Sequence, residues 1–216
     1  MKPLLSLTYF MLIYFFVSCN NSDADKLEKN SSAITIPSHS FSYNYDPSST
    51  KLKWTAFKHV AKVGVEGEFE RIEVNGFKPS NKVSDAIKNV SFNIFTSSTN
   101  TQDKGRDMKV VADFFGNMLN PTVICGKIKD IEGSENGNGN VLIKMNGIEK
   151  LIPFKWKIEK NNQFILKTKL NVLNWDLDEA LEILNNVCLK KHTDKNGENK
   201  LWPNVEITVF TTLIKK

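Results

Sequence analysis

The chain has 216 residues, a mass of 24.5 kDa and a formal charge of +5, with 40% hydrophobic, 25% charged and 10% aromatic residues. That is room for one large or two small domains around a sizeable core, and it excludes collagen, coiled coil, wholesale disorder and a disulfide mini-scaffold. The basic residues are mostly lysines scattered along the chain, without the clustering that a phosphate-tracking surface needs, so no nucleic-acid partner is expected.

Met1-Lys2 opens an almost uncharged apolar run, 4–17, that ends at Ser18-Cys19. The run is short for a bilayer span and has a secretory layout of basic start, apolar middle and small residue before the cut. Ser18-Cys19 resembles the bacterial lipobox, with Phe16 where that motif usually has Leu. The resemblance implies a lipoprotein signal peptide, 1–18, and a diacylglyceryl anchor on Cys19, so that the chain is exported and tethered in the cell envelope, facing the periplasm or the cell surface. A plain signal peptide or an uncleaved anchor is the alternative. Residues 19–40, rich in Asn, Ser, Asp and Lys, read as a flexible tether.

From about Phe41 a period of two takes over. Leu52, Trp54 and Ala56 open the first candidate strand, 52–58. The next, 63–77, changes phase: Val63, Val65 and Phe69 carry the first apolar set and Ile72 and Val74 the second. An irregularity near Glu70-Arg71 would return both to one face and bend the strand. Further strands are predicted at 90–95, 122–131, 141–145, 152–158, 164–170 and 205–213, with turns at Asn136-Gly137-Asn138-Gly139 and Asn146-Gly147. Strict alternation is plainest in Ile152-Pro153-Phe154-Lys155-Trp156-Lys157-Ile158. About eight antiparallel strands make a meander or barrel.

Two segments break this pattern. Over 176–191, Leu177, Ala180, Leu181, Leu184 and Cys188 share a helical face. Over 106–115, the spacing puts Met108, Val111, Ala112 and Phe115 on one side of a shorter helix.

Catalytic and metal chemistry find little support. His39, His59 and His192 are widely spaced, and no nucleophile elbow or phosphate-binding glycine loop is present. The run from His192 to Gly197 has the Asp, Asn and Gly of a calcium loop, but His192 and Pro203 stand where its carboxylates belong. Arg106, Asp107 and His59 read as an ion pair and a polar rim. No enzyme activity, metal or cofactor is therefore expected. Cys125 on a strand and Cys188 on the helix either pair or remain two separate thiols.

The ordered set Tyr43-Asn44-Tyr45-Asp46-Pro47, Lys53-Trp54-Thr55-Ala56-Phe57-Lys58-His59, Val65-Glu66-Gly67-Glu68-Phe69, Gly105-Arg106-Asp107, Asp113-Phe114-Phe115, Asn120-Pro121 and Met145-Asn146-Gly147-Ile148-Glu149-Lys150 resembles the YceI-like family. Lys109 stands where many members have His, and 176–200 is an insertion of a subset. The resemblance spans 43–216 and implies that 41–216 is one lipocalin-like antiparallel β-barrel, mainly β with one or two short helices, whose lumen holds a polyisoprenoid or other long-chain lipid. On that reading Trp54, Phe57, Phe69, Phe92, Phe154, Trp156, Phe164 and Leu166 line the lumen, and no catalytic group is needed. The alternative is that the same aromatics interlock as a packed core, leaving a structural or interaction protein; periodicity does not separate a lined cavity from a filled one.

Overall fold

Alternation in the sequence becomes a rolled antiparallel sheet in the computed structural model, which describes residues 41–216. The expected signal peptide and tether, with Cys19 and His39, lie outside the described residues. In chain order the elements are β1 (Tyr43–Tyr45), β2 (Lys51–Lys58), β3 (Val63–Phe69), β4 (Ile72–Asn75), α1 (Val83–Ile87), β5 (Ser91–Phe95), β6 (Thr99–Asn100), α2 (Lys104–Lys109), β7 (Val123–Ile131), β8 (Asn136–Met145), β9 (Ile148–Glu159), β10 (Gln163–Asn171), α3 (Asp178–Val187), α4 (Leu189–His192) and β11 (Leu201–Lys215).

The sheet order is β4-β5-β7-β8-β9-β10-β11-β2-β3-β6, with β1 added to β11. Its two ends are the halves of two kinked staves. β3 runs into β4 across Glu70-Arg71, and β5 into β6 across a 3-10 turn at Thr96–Ser98. Because Phe69 pairs with Thr99 while Ile72 pairs with Ile94, these staves pair with each other on both sides of the kink and close the ring. The eight staves expected from the sequence are thus present, two of them bent.

The kink falls at Glu70-Arg71, where the phase change placed it, and Val65, Phe69, Ile72 and Val74 all face the interior. The surplus residues, however, sit on the partner stave: four separate Ile94 from Thr99, against two between Phe69 and Ile72. The N–H of Glu70 donates to the Ser98 carbonyl and that of Phe95 to the Arg71 carbonyl, so the slip leaves these amides satisfied.

Two local expectations need correction. Asn136 to Gly139 is not a turn: it extends β8, pairing with Lys157 through Phe154, and the chain reverses between Glu132 and Glu135 instead. Gly139 is required there by the Phe154 ring directly across from it, and Gly137 by the Glu132 backbone carbonyl, which a β-carbon would overlap. Asn146-Gly147 does form the predicted hairpin turn, with φ of 49° and 76°. The second correction concerns α2, which passes into a π turn at Val110–Phe114 and then a 3-10 turn at Phe115–Asn117. The wider turn rotates the face, so Arg106, Val110 and Phe114 point inward while Met108 is 68% exposed. Of the expected face, Phe115 is buried.

Helix α3 keeps its predicted face, with Leu177, Ala180 and Cys188 buried and Leu181 and Leu184 against the barrel. It packs on the π turn and on β11, so α2, α3 and α4 cover one end of the barrel. The five-residue α1 buries Val83, Ala86 and Ile87 beneath the other end. Trp175, fully buried, donates its indole N–H to the Ile143 carbonyl, and Asn146 reaches the Trp175 carbonyl, which ties the start of the insertion to the wall.

Candidate functional site

Inward positions on the staves enclose two apolar chambers. The near chamber, beneath α2 to α4, has a volume of about 180 Å³ and is walled by Trp54, Phe57, Val110, Phe114, Leu184 and Cys188 among others. The far chamber, about 170 Å³, lies toward α1 and includes Ile72, Phe92, Val141, Phe164 and Leu166. They share Phe69, Ile124, Met145, Leu170 and Ile207, a waist at which one chamber meets the next. Singly they are small; joined, they reach the lower end of the roughly 300–1,000 Å³ typical of ligand sites.

The far chamber offers nothing polar. Its hydroxyls are engaged with one another or with backbone: Tyr45 with Thr50 at 2.8 Å, Thr50 with Thr211 at 2.9 Å, and Thr168 donating to the Pro153 carbonyl at 2.7 Å. Burial of the Tyr45 phenol raises its pKa, so it stays neutral. A space of this kind takes hydrocarbon and rejects water.

Large aromatics leave room because glycines receive them. Trp54 pairs directly with Gly67 and Phe92 with Gly126, and in each case a β-carbon on the glycine would overlap the ring. The rings therefore lie along the wall instead of across the axis. Phe154 over Gly139 continues the device on β9.

Of the eight side chains expected on the lumen, Trp54, Phe57, Phe69, Phe92, Phe164 and Leu166 line one or both chambers. Phe154 and Trp156 do not. They are 2% and 3% exposed, and Trp156 stacks on Phe164 with centroids 5.6 Å apart and donates its N–H to the Glu132 carbonyl at 2.9 Å. Both point inward as the alternation predicts, Trp156 level with Leu166 of the far chamber, but they are closed off from either chamber by the side chains packed on them. The helical contributors Val110 and Phe114 were missed with the π turn that presents them.

Against known proteins, a family model described as the YceI-like domain matches residues 43–211. The chain belongs to the YceI-like family. Its fold is shared by a solved polyisoprenoid binding domain from Saccharophagus degradans implicated in plant cell wall breakdown, with a TM-score of 0.57 and 12% identity over 82% of this chain and 99% of that one. It is shared equally by Burkholderia cenocepacia BcnA, with a TM-score of 0.57 and 13% identity over 79% of this chain and 99% of that one. Among curated proteins nothing matches the sequence.

The mouth of this YceI-like barrel is basic. Lys58, Arg106, Lys109, Lys191 and His192 border the near chamber, and among the described residues no carboxylate does. Asp103 stands just outside, 3.6 Å from both Arg106 and Lys191, so the arginine's ionic partner is Asp103 rather than Asp107. Asp107 instead accepts from the Thr101 N–H at 2.8 Å and its hydroxyl at 2.6 Å, a structural role. His192 is pushed down to about 4, first by burial and then by the positive charge of Lys58, His59 and Lys109.

Cys125 and Cys188 are free thiols. Ile124 and Gly126 point into the YceI-like barrel, which turns Cys125 outward between them, while Cys188 borders the near chamber. The wall separates the two. Asp194 accepts from the N–H of Asn196 and of Glu198, closing the loop that resembled a calcium site onto its own backbone.

Proposed function

We propose that this barrel binds a single long apolar lipid of the polyisoprenoid class, threaded through the waist from the near chamber into the far one. The observation that carries the reading is the pair of adjoining apolar chambers, the farther of which has its hydroxyls already engaged. The shared fold of a polyisoprenoid binding domain supports it. Each buried methylene contributes about 0.8 kcal/mol, so tail length and not polar recognition sets affinity. No catalytic step enters the proposal. The lipobox-like Ser18-Cys19 supports a mature chain held in the cell envelope by an acyl anchor on Cys19, where such a lipid is met at the membrane surface.

Titration of the lipid-extracted full chain with polyprenols of graded length tests the lumen. Affinity rises with length until both chambers are filled, and Leu166→Trp, which narrows the far chamber, weakens binding of the longer tails about tenfold or more without lowering the melting temperature. The absence of saturable binding at any length, together with destabilisation by Leu166→Trp of about 1–3 kcal/mol, would identify an overpacked core and a structural or interaction protein instead. Metabolic labelling with a fatty-acid analogue tests the anchor: label is lost in Cys19→Ser, and equal labelling of the two chains would sink it.

A further inference from the structure

We propose that the outer surface of the helical end is a docking face for an anionic lipid bilayer, with Val60, Met108 and Leu189 entering the interfacial layer and Lys62, Lys104 and Lys190 meeting its headgroups. None of these six side chains lines either chamber, so the surface stands apart from whatever the barrel holds.

Exposed apolar side chains are gathered at this end. Among the described residues, half of the ten large hydrophobics left exposed fall in three short segments, 58–63, 103–109 and 187–192. They are Val60, Val63, Met108, Val187 and Leu189, between 43% and 68% exposed. The segments are remote in sequence and bonded in space. Lys58 and His59 both reach the Lys191 carbonyl, at 3.0 and 3.1 Å, Lys109 donates to the Val187 carbonyl at 3.1 Å, and Lys191 lies 3.6 Å from Asp103. Val60 sits in a tight turn that the Lys62 N–H closes on the His59 carbonyl. Single apolar residues on a surface are ordinary, whereas five on bonded elements mark a contact face.

Charge names the partner. The same nineteen residues carry seven cations against two carboxylates, an excess equal to the +5 of the whole chain. Both acids are engaged, Asp103 with Arg106 and Lys191, and Asp107 with Thr101. Among the described residues none of Lys62, Lys104 and Lys190 has a carboxylate within 4 Å. The carboxylates of α3, Asp178, Glu179 and Glu182, lie more than a turn before Val187, and in the loop after α4 Asp194 and Glu198 are matched by Lys195 and Lys200. Half-buried Trp202 adds an interfacial aromatic: its ring has the Lys62 and Lys200 ammonium groups 4.3 and 5.0 Å from its centroid, and its N–H donates to the His59 carbonyl at 2.7 Å. The apolar tips alternate with lysines, Val60 near Lys62, Met108 beside Lys109 and Leu189 beside Lys190, where a protein interface would have a continuous apolar centre. A fluid anionic surface accepts separate tips, lets lysine stems lie along it and rewards the excess charge.

The test labels the full chain carrying Met108→Cys, Leu189→Cys or Ile214→Cys with a water-soluble maleimide, each site being read by peptide mass spectrometry. Vesicles are phosphatidylcholine alone or phosphatidylcholine with phosphatidylglycerol. Ile214, 42% exposed near the end of β11, reports the opposite end of the barrel. On anionic vesicles at low salt, modification at 108 and 189 slows about tenfold or more relative to neutral vesicles, and at 214 it is unchanged. Protection fades as salt screens the lysines, and it is lost when Lys62→Gln and Lys190→Gln are added. Every chain keeps residues 1–40, so any tethering they supply is common to all, and the site-resolved rates tell which end meets the bilayer. Equal rates at 108 and 189 on the two kinds of vesicle overturn the proposal. Equal protection at 214 overturns it as well, because the barrel then has no preferred face. Protection that arises without vesicles and grows with protein concentration assigns the face to a second copy of the chain and overturns it too. A chain that binds no polyprenol would leave these rates as they are, so the docking face and the lumenal reading fail separately.

Discussion

Trp54 and Gly67 face each other directly across the β2–β3 pair, and the indole occupies the place a β-carbon on residue 67 would take. The wall is thin at that point so that the ring can lie flat, and the near chamber exists because it does.

Gly67→Ala therefore closes the near chamber from its own wall. The new methyl group meets the Trp54 ring and the Thr101 methyl, side chains only, so the ring and not the backbone is displaced. The expected result is a loss of about 1–3 kcal/mol in urea unfolding and a roughly tenfold loss of polyprenol affinity. Restoration of affinity by adding Trp54→Phe would show that ring displacement is the cause; unchanged affinity in Gly67→Ala would contradict it.

Phe154→Asp and Lys155→Asp differ by one position and by which side of the wall they face. The first buries a carboxylate at a site 2% exposed and removes a ring packed on Gly139; the second stays in water. Chemical denaturation should show a loss of about 3–5 kcal/mol for Phe154→Asp and under about 0.5 for Lys155→Asp. Similar losses would mean that β9 does not alternate between core and solvent.

Period two was enough to find the staves and their inner faces because water decides which side of a strand is polar, and that signal repeats over seven or more residues in β2, β9 and β10. It failed where structure is set at a distance. β6 and β1 have two and three residues, and α1 five, too few for any period to register. Asn136 to Gly139 has turn chemistry locally and strand structure in the fold because the Phe154 ring needs a glycine opposite it at 139 and the Glu132 carbonyl needs one beside it at 137. Met108 shares a face with Phe115 only on a regular helix, and the π turn between them breaks that face. The basic mouth was illegible for another reason: Lys58, Lys109 and Lys191 come from three distant segments, and dispersed lysines in the sequence are one cluster in space.

His192 makes stability depend on pH over a defined window. Its pKa in the folded chain is about 4 against an ordinary 6.5, so between those values the unfolded chain binds a proton that the folded chain does not. Stability from this group is complete above pH 6.5, falls as pH is lowered toward 4, and is constant below. Comparing urea midpoints of wild type and His192→Asn from pH 7.5 to 4 should show a shallower decline in the variant. Parallel curves would remove His192 as the source.

The two thiols should report on opposite sides of the wall. Alkylation followed by peptide mass spectrometry should label outward, half-buried Cys125 readily in the native chain and Cys188 slowly, with polyprenol slowing Cys188 further and leaving Cys125 unchanged. A reductant should leave the melting temperature where it was. A melting temperature lowered by the reductant, or lipid protection of Cys125, would contradict the placement.

Ring closure carries a consequence for how the molecule is made. β2 meets β11, a partner some 150 residues away in sequence, with Ile207 opposite Trp54 and Val209 opposite Leu52. A nascent chain ending at Lys200 would own every stave but one and still enclose no lumen. Because this seam joins early and late segments, loop-closure entropy opposes it until the other staves have zipped, and barrel formation waits for the last of them. A polypeptide with that order of assembly encloses its lumen only when the last stave is in place.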